Sequence, residues 1–160
     1  MATSSNLIRV FVYGTLKSGQ PNHFLMQDVK NGMAKFIASA VTTEKFPLVV
    51  ATRYNIPFLL NKPGTGNYIN GEIYEVDQQM FEVLDKLEDY PAWYDREILE
   101  MSTTDQKISC WIYMLKNYPE KLLKLPMLTS YESTVDKPYL ERSKRVSIVA
   151  RDDLEFGIVD

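Results

Sequence analysis

Within the segment Asp77 to Tyr90 a carboxylate stands where a core-facing helix should carry an apolar side chain. Stepped at about 100° per residue, Met80, Phe81, Val83, Leu84 and Leu87 fall on one arc, and Glu88 falls on it with them. Glu82, Asp85, Lys86 and Asp89 lie outside that arc. Burying a carboxylate without partners is costly, so one that points inward implies a cavity or a specific partner. Pro91 disfavours helical backbone at Tyr90, which puts Glu88 in the last turn. There the negative end of the helix dipole favours the protonated form and makes the group a better base. The pattern leaves two readings open. Glu88 is a general acid/base facing a cavity, or it satisfies a neighbouring backbone amide or an arginine such as Arg96.

A second candidate lies at the junction Tyr13-Gly14-Thr15-Leu16, directly after the apolar run Ile8 to Val12. A glycine after a buried strand lets the chain turn sharply and approach a ligand closely. Successive amides there can form a nest for a carboxylate or a developing oxyanion, although a plain tight turn has the same sequence. Other chemistries are harder to build. His23 is the single histidine and Cys110 the single cysteine, so multi-histidine and multi-cysteine zinc sites are excluded. No nucleophile-elbow, Walker or dinucleotide-binding pattern occurs. His23 reads as a helix-start residue and Cys110 as a small core residue. Glu72 is the alternative carboxylate, its strand position suiting a structural hydrogen bond. Chemistry therefore rests on carboxylates, hydroxyls and backbone amides.

These residues need a scaffold. Ile8–Val12, Phe36–Thr43, Leu48–Ala51, Tyr68–Val76, Glu97–Thr103 and Ile108–Leu115 read as strands, and Asn55–Leu60 is another apolar stretch. Pro21 suits the first turn of a helix running to about Lys30, with Phe24, Leu25 and Val29 as its apolar face. Asp77 is a plausible N-cap for the helix that carries Glu88. Val146–Ala150 is a further apolar run before an acidic tail. Many strands, few helices and no βαβ alternation predict an α+β fold, a small barrel-like sheet with helices outside it.

The 160 residues are expected to form a single domain, 45% hydrophobic and 24% charged. A net charge of −3 with interspersed signs argues against nucleic acid as a partner. Met1 to Asn6 lack the pattern of a secretory signal, and no apolar run approaches a membrane span. A cytoplasmic monomer is expected, since no long apolar surface stripe is visible.

The ordered set of motifs resembles the γ-glutamylamine cyclotransferases of the γ-glutamyl cyclotransferase-like superfamily. It begins with Val10-Phe11-Val12-Tyr13-Gly14-Thr15-Leu16-Lys17 and Gly19-Gln20-Pro21-Asn22-His23. It continues through Phe46-Pro47-Leu48-Val49-Val50, Asn55-Ile56-Pro57-Phe58-Leu59-Leu60 and Gly71-Glu72-Ile73-Tyr74-Glu75-Val76-Asp77. Leu84-Asp85-Lys86-Leu87-Glu88-Asp89-Tyr90-Pro91, then Tyr94, Arg96 and Cys110-Trp111-Ile112-Tyr113, complete it over roughly residues 8 to 145. Residues 146–160 form a tail outside the resemblance.

The resemblance implies a small mixed β-barrel with flanking helices. It also implies that Glu88 is the general acid/base and that Tyr13, Gly14, Thr15 and Leu16 form the substrate-binding loop. The implied substrate is a γ-glutamylamine such as γ-glutamyl-ε-lysine, cyclised to 5-oxoproline with release of the amine, a reaction that needs no metal and no cofactor. Pro57, Phe58, Trp93 and Tyr131 are candidate pocket walls. A cyclotransferase for another γ-glutamyl compound, and a non-catalytic binder of the same fold, are the alternatives.

Overall fold

The computed structural model describes residues 7–52, 54–134 and 139. The strand β1 (Ile8–Val12) alternates strictly between two environments. Phe11 faces one core cluster, which Tyr13 joins just beyond the strand, while Val10 and Val12 face another. The same period of two sorts β5 (Asn67–Val76), with Ile69 and Ile73 on the first side and Tyr74 and Val76 on the second. In β7 (Lys107–Leu115), Ile108, Cys110, Ile112 and Met114 oppose Tyr113 and Leu115.

The first cluster is the interior of a closed barrel, ordered β1-β5-β2-β6-β7, with β2 at Ala34–Phe46 and β6 at Tyr94–Ser102. Neighbours pair antiparallel except β1 and β7, whose parallel contact at Val10 and Trp111 closes the ring. Cys110 is 1% exposed, a barrel-core residue as expected. Gly71 is required by this closure, because a Cβ there would lie 2.5 Å from both the Phe11 ring and the Val12 carbonyl oxygen.

The second cluster lies outside the barrel wall. It takes in Val49, Ala51, Ile56 and Phe58 of a hairpin of β3 (Leu48–Ala51) and β4 (Ile56–Leu59), whose Leu48 and Leu59 join the first cluster, together with helix α2 (Gln78–Leu87). Asp77 caps α2 by accepting the Met80 N–H at 2.9 Å, as expected. Met80, Phe81 and Leu84 are buried against the barrel, and each such side chain is worth about 1.5–3 kcal/mol in transfer terms. The fold thus matches the expected α+β barrel with flanking helices.

The helix expected from Pro21 to Lys30 is shorter. α1 spans Phe24–Gln27, and a separate 3₁₀ turn covers Val29–Asn31. Asp28 separates them: its backbone is extended and its carboxylate accepts the Lys30 N–H. Side-chain capping of this kind competes with helix continuation. Phe24 and Val29, expected on an apolar face, are accordingly exposed, while Met26 is buried. A 3₁₀ turn at Glu120–Lys124 was not expected, and β6 starts earlier than its apolar pattern suggests. The Val146–Ala150 run lies outside the described residues.

Candidate active site

The C-terminal end of α2 sets the position of Glu88. Asp89 adopts a left-handed conformation (φ 53°), and the Asp89 and Tyr90 N–H groups turn back to the carbonyls of Lys86 and Asp85 at 3.2 and 2.9 Å. This reverse pair of bonds ends the helix in a Schellman arrangement and leaves Glu88 as its C-cap residue. Its own N–H still bonds the Leu84 carbonyl at 3.0 Å. Glu88 is therefore half-buried at the negative end of the helix, on the edge of the apolar arc.

Glu88 lines a cavity of about 340 Å³. Tyr13, Gly14, Thr15 and Leu16 line the same cavity, so the two groups of candidate residues meet there. A Cβ on Gly14 would lie 3.0 Å from Pro57 Cγ, which explains the glycine: the loop packs directly on the opposite wall. The loop uses its carbonyls internally. Gly14 O accepts from Lys17 N, Thr15 O from Asn22 N, and Leu16 O is 2.8 Å from His23 Nδ1. Among the described residues, the N–H groups of Gly14, Thr15 and Leu16 bond no carbonyl or side chain. Three backbone donors on the wall of a cavity are spare hydrogen-bonding capacity of the kind that holds an anion.

Tyr13 serves mainly as a strut, its hydroxyl donating to the Tyr113 carbonyl at 2.5 Å. Burial holds its phenol well above the usual range, the Glu88 charge adds to this, and hydrogen bonding at Leu59 opposes it. The Tyr113 phenol is also raised, first by burial, then by its hydrogen bond to Asp85 and the charges of Asp85 and Glu88. Both phenols thus remain protonated around the cavity, where Glu88 is the one charged residue among the described lining residues.

Arg96, weighed as a partner for Glu88, forks onto Asp85 instead, with Nε to Oδ1 at 2.9 Å and Nη2 to Oδ2 at 3.2 Å. Tyr113 donates to the same carboxylate at 2.6 Å. The guanidinium lies 4.1 Å from the Tyr90 ring centre and 4.5 Å from those of Phe81 and Trp111. This network ties α2 to β6 and β7 just before Glu88. Sequence reasoning missed Asp85, whose signal was its spacing of three from Glu88.

Glu72 lies outside this cavity. It accepts from the Ser18 N–H at 2.8 Å and the Tyr74 hydroxyl at 2.9 Å, so it braces the far side of the loop. Of the four expected walls, Pro57 and Trp93 line the cavity. Phe58 packs behind them, its ring centre 5.7 Å from that of Trp93, and Tyr131 belongs to the barrel interior. Asn22 and Tyr139, assigned no role from sequence, line the cavity as well. His23 is the N-cap residue of α1, as expected of a helix-start position. Among the described residues no three His, Cys, Asp or Glu side chains converge as a metal centre would require.

A small closed barrel whose cavity joins a strand-end glycine loop to a helix-end glutamate defines a class of protein, and comparison places the chain in it. The family model described as gamma-glutamyl cyclotransferase, AIG2-like, matches residues 10–133, and the chain belongs to that family. A Drosophila melanogaster protein with the provisional name gamma-glutamylcyclotransferase is 53% identical over 92% of this chain and 94% of its own. The Mus musculus gamma-glutamylaminecyclotransferase is 43% identical over 79% of this chain and 91% of its own length. The crystal structure of an AIG2-like protein from Mus musculus superposes with a TM-score of 0.83. It is 42% identical and covers 88% of this chain and 99% of that one.

Proposed function

We propose that this chain is a γ-glutamylamine cyclotransferase that releases 5-oxoproline and a free amine. One observation carries the reading: in a member of this family, Glu88 and the unbonded amides of Gly14 to Leu16 line one cavity.

The substrate's α-nitrogen attacks its own γ-carbonyl carbon. A C–N bond forms, the ring closes, and the carbonyl oxygen becomes an oxyanion. Glu88 takes a proton from the attacking nitrogen and returns one to the leaving nitrogen as the original amide bond breaks. A positioned acid/base of this kind contributes about 10²–10⁴-fold. The Gly14–Leu16 amides bind the substrate's carboxylate or the oxyanion, and losing one such donor costs about 3–4 kcal/mol. These amides are neutral donors, suited to an anion by direction rather than by charge. The walls hold the chain folded for ring closure, which lowers the entropic part of the barrier.

The reaction consumes no water and transfers no electrons, so acid/base and hydrogen-bonding groups are sufficient and no cofactor is invoked. A small-molecule γ-glutamyl substrate, a monomeric state and a cytoplasmic location complete the proposal. Among the described residues no helix is long and apolar enough to cross a membrane.

The test is incubation of wild-type protein and Glu88→Gln with γ-glutamyl-ε-lysine, following 5-oxoproline and lysine by mass spectrometry. Equal amounts of both products from wild type, reduced at least about 100-fold in the folded variant, are expected. Glu88→Gln at wild-type activity removes Glu88 from the mechanism. The Drosophila relative bears the broader cyclotransferase name, so a panel of γ-glutamyl amino acids and glutathione accompanies the assay. Release of 5-oxoproline from one of these alone moves the leaving group while keeping the reaction. Binding of 5-oxoproline without turnover of any compound identifies a binder.

A further inference from the structure

Asn22 is a polar residue only 8% exposed, yet it is one of the residues that line the cavity. Its amide nitrogen is fully used. Nδ2 donates to Thr15 Oγ1 at 2.9 Å and to the Tyr139 hydroxyl at 3.2 Å. With both amide donors used on these two hydroxyls, the carbonyl oxygen is turned away from them. Its carbonyl oxygen, Oδ1, receives no donor from the described residues. An acceptor held in one orientation and reached by no donor of the described residues is open to a ligand's donor.

The ligand donor that fits is nitrogen. In the proposed cyclotransferase reaction, on which this inference rests, the α-ammonium carries three N–H groups and must be held before it attacks. Glu88 can accept one of them and remove it as a proton. A second, neutral acceptor would hold the nitrogen without competing for that proton. We infer that Asn22 Oδ1 accepts an N–H of the substrate's attacking α-amine, and that Tyr139 is a positioning residue that locks the Asn22 amide for this task.

Tyr139 reaches the site from an independent direction. It lies beyond the residues 10–133 matched by the family model, and its N–H bonds Ser133 Oγ at 2.9 Å. Ser133 in turn donates its N–H to Gln20 Oε1 at 2.9 Å, in the same loop as Asn22. Ser133 and Tyr139 are thus tied to the substrate loop, and Tyr139 is among the residues that line the cavity.

Two ligands separate positioning of the amine from bracing of the loop: γ-glutamyl-ε-lysine, and glutaryl-ε-lysine, which lacks only the α-amine. Binding is measured by calorimetry in the turnover-silent Glu88→Gln protein, alone and with Asn22→Ala or Tyr139→Phe added. Asn22→Ala should weaken the γ-glutamyl compound about tenfold, the size of one hydrogen bond to a charged donor, and the glutaryl compound less than about twofold. Tyr139→Phe, which keeps the ring and removes the hydroxyl that accepts from Nδ2, should weaken the same ligand about threefold with the melting temperature held. If Asn22→Ala fails to fold, Tyr139→Phe alone decides. Equal losses for both ligands, or no loss for either, overturn the inference while leaving the cyclotransferase reading intact. A wild-type protein that turns over no γ-glutamyl compound removes that reading, and this inference with it.

Discussion

Replacing Arg96 by methionine tests whether the stacked ion pair beside Glu88 holds the end of α2 in place. The pair is forked and partly buried, its side chains 15% and 21% exposed for Arg96 and Asp85. Removing one partner of a fully buried pair costs about 3–5 kcal/mol, and exposed pairs are worth about 0.2–1 kcal/mol. This degree of burial puts the pair near 2 kcal/mol. Stacking on Phe81, Tyr90 and Trp111 adds about 0.5–1 kcal/mol per ring. Methionine recovers part of the packing, so a net loss of about 2–3 kcal/mol is expected. For a domain of this size each kcal/mol moves the melting temperature by about 2–4 °C, which gives a fall of about 4–12 °C.

Thermal melts at pH 7 read this directly, with Arg96→Lys as the discriminating control. Lysine keeps the charge but cannot form the fork or lie flat between rings, so it should recover less than half of the loss. Asp85→Asn combined with Arg96→Met should be less destabilised than Arg96→Met alone, because no uncompensated carboxylate remains. Activity should fall with Arg96→Met too, since Asp85, Tyr90 and Glu88 share the same helix end. An Arg96→Met protein that melts within 2 °C of wild type would refute the whole estimate (roughly the response to 1 kcal/mol). Full rescue by lysine would refute the part assigned to planarity.

Two further outcomes follow from the packing. Gly14→Ala sets a methyl group 3.0 Å from Pro57 Cγ at a backbone conformation alanine accepts, so stability should change by less than about 1 kcal/mol. Activity should drop about tenfold as the loop backs off the opposite wall, and unchanged kinetics would show that the loop's close approach is not used. Burial pushes the Cys110 thiol up to about 11. Reaction of the native protein with a chromogenic disulfide reagent at pH 8 should therefore be at least about 100-fold slower than after denaturation. Fast native labelling would take Cys110 out of the barrel interior.

The parts of the fold that sequence reveals are those where one local period dominates. β1 and β7 alternate, so their inward and outward residues are readable, and Glu88 is conspicuous only because α2 has a clear apolar arc. α1 was overread because nothing in an apolar count registers Asp28, whose side chain stops the helix by capping the next turn. Asp85 lies outside the apolar arc, and its partners Arg96 and Tyr113 come from β6 and β7, which no local period registers. Asn22 and Tyr139 obey no period at all, being loop residues 117 positions apart. The one signal for Asn22 was its place in Gly19-Gln20-Pro21-Asn22-His23, a stretch already carrying the family resemblance without a chemical role. Periodicity finds groups that a helix or strand points inward, such as Glu88. It is blind to groups oriented by hydrogen bonds between loops, and Asn22, the proposed acceptor for the attacking amine, is one of these. The two kinds of residue must nevertheless converge, because ring closure needs the proton acceptor and the amine's second support on one nitrogen. Loss of Glu88 should therefore abolish turnover while loss of Asn22 shows first in binding, and that difference is what the paired-ligand measurement reads.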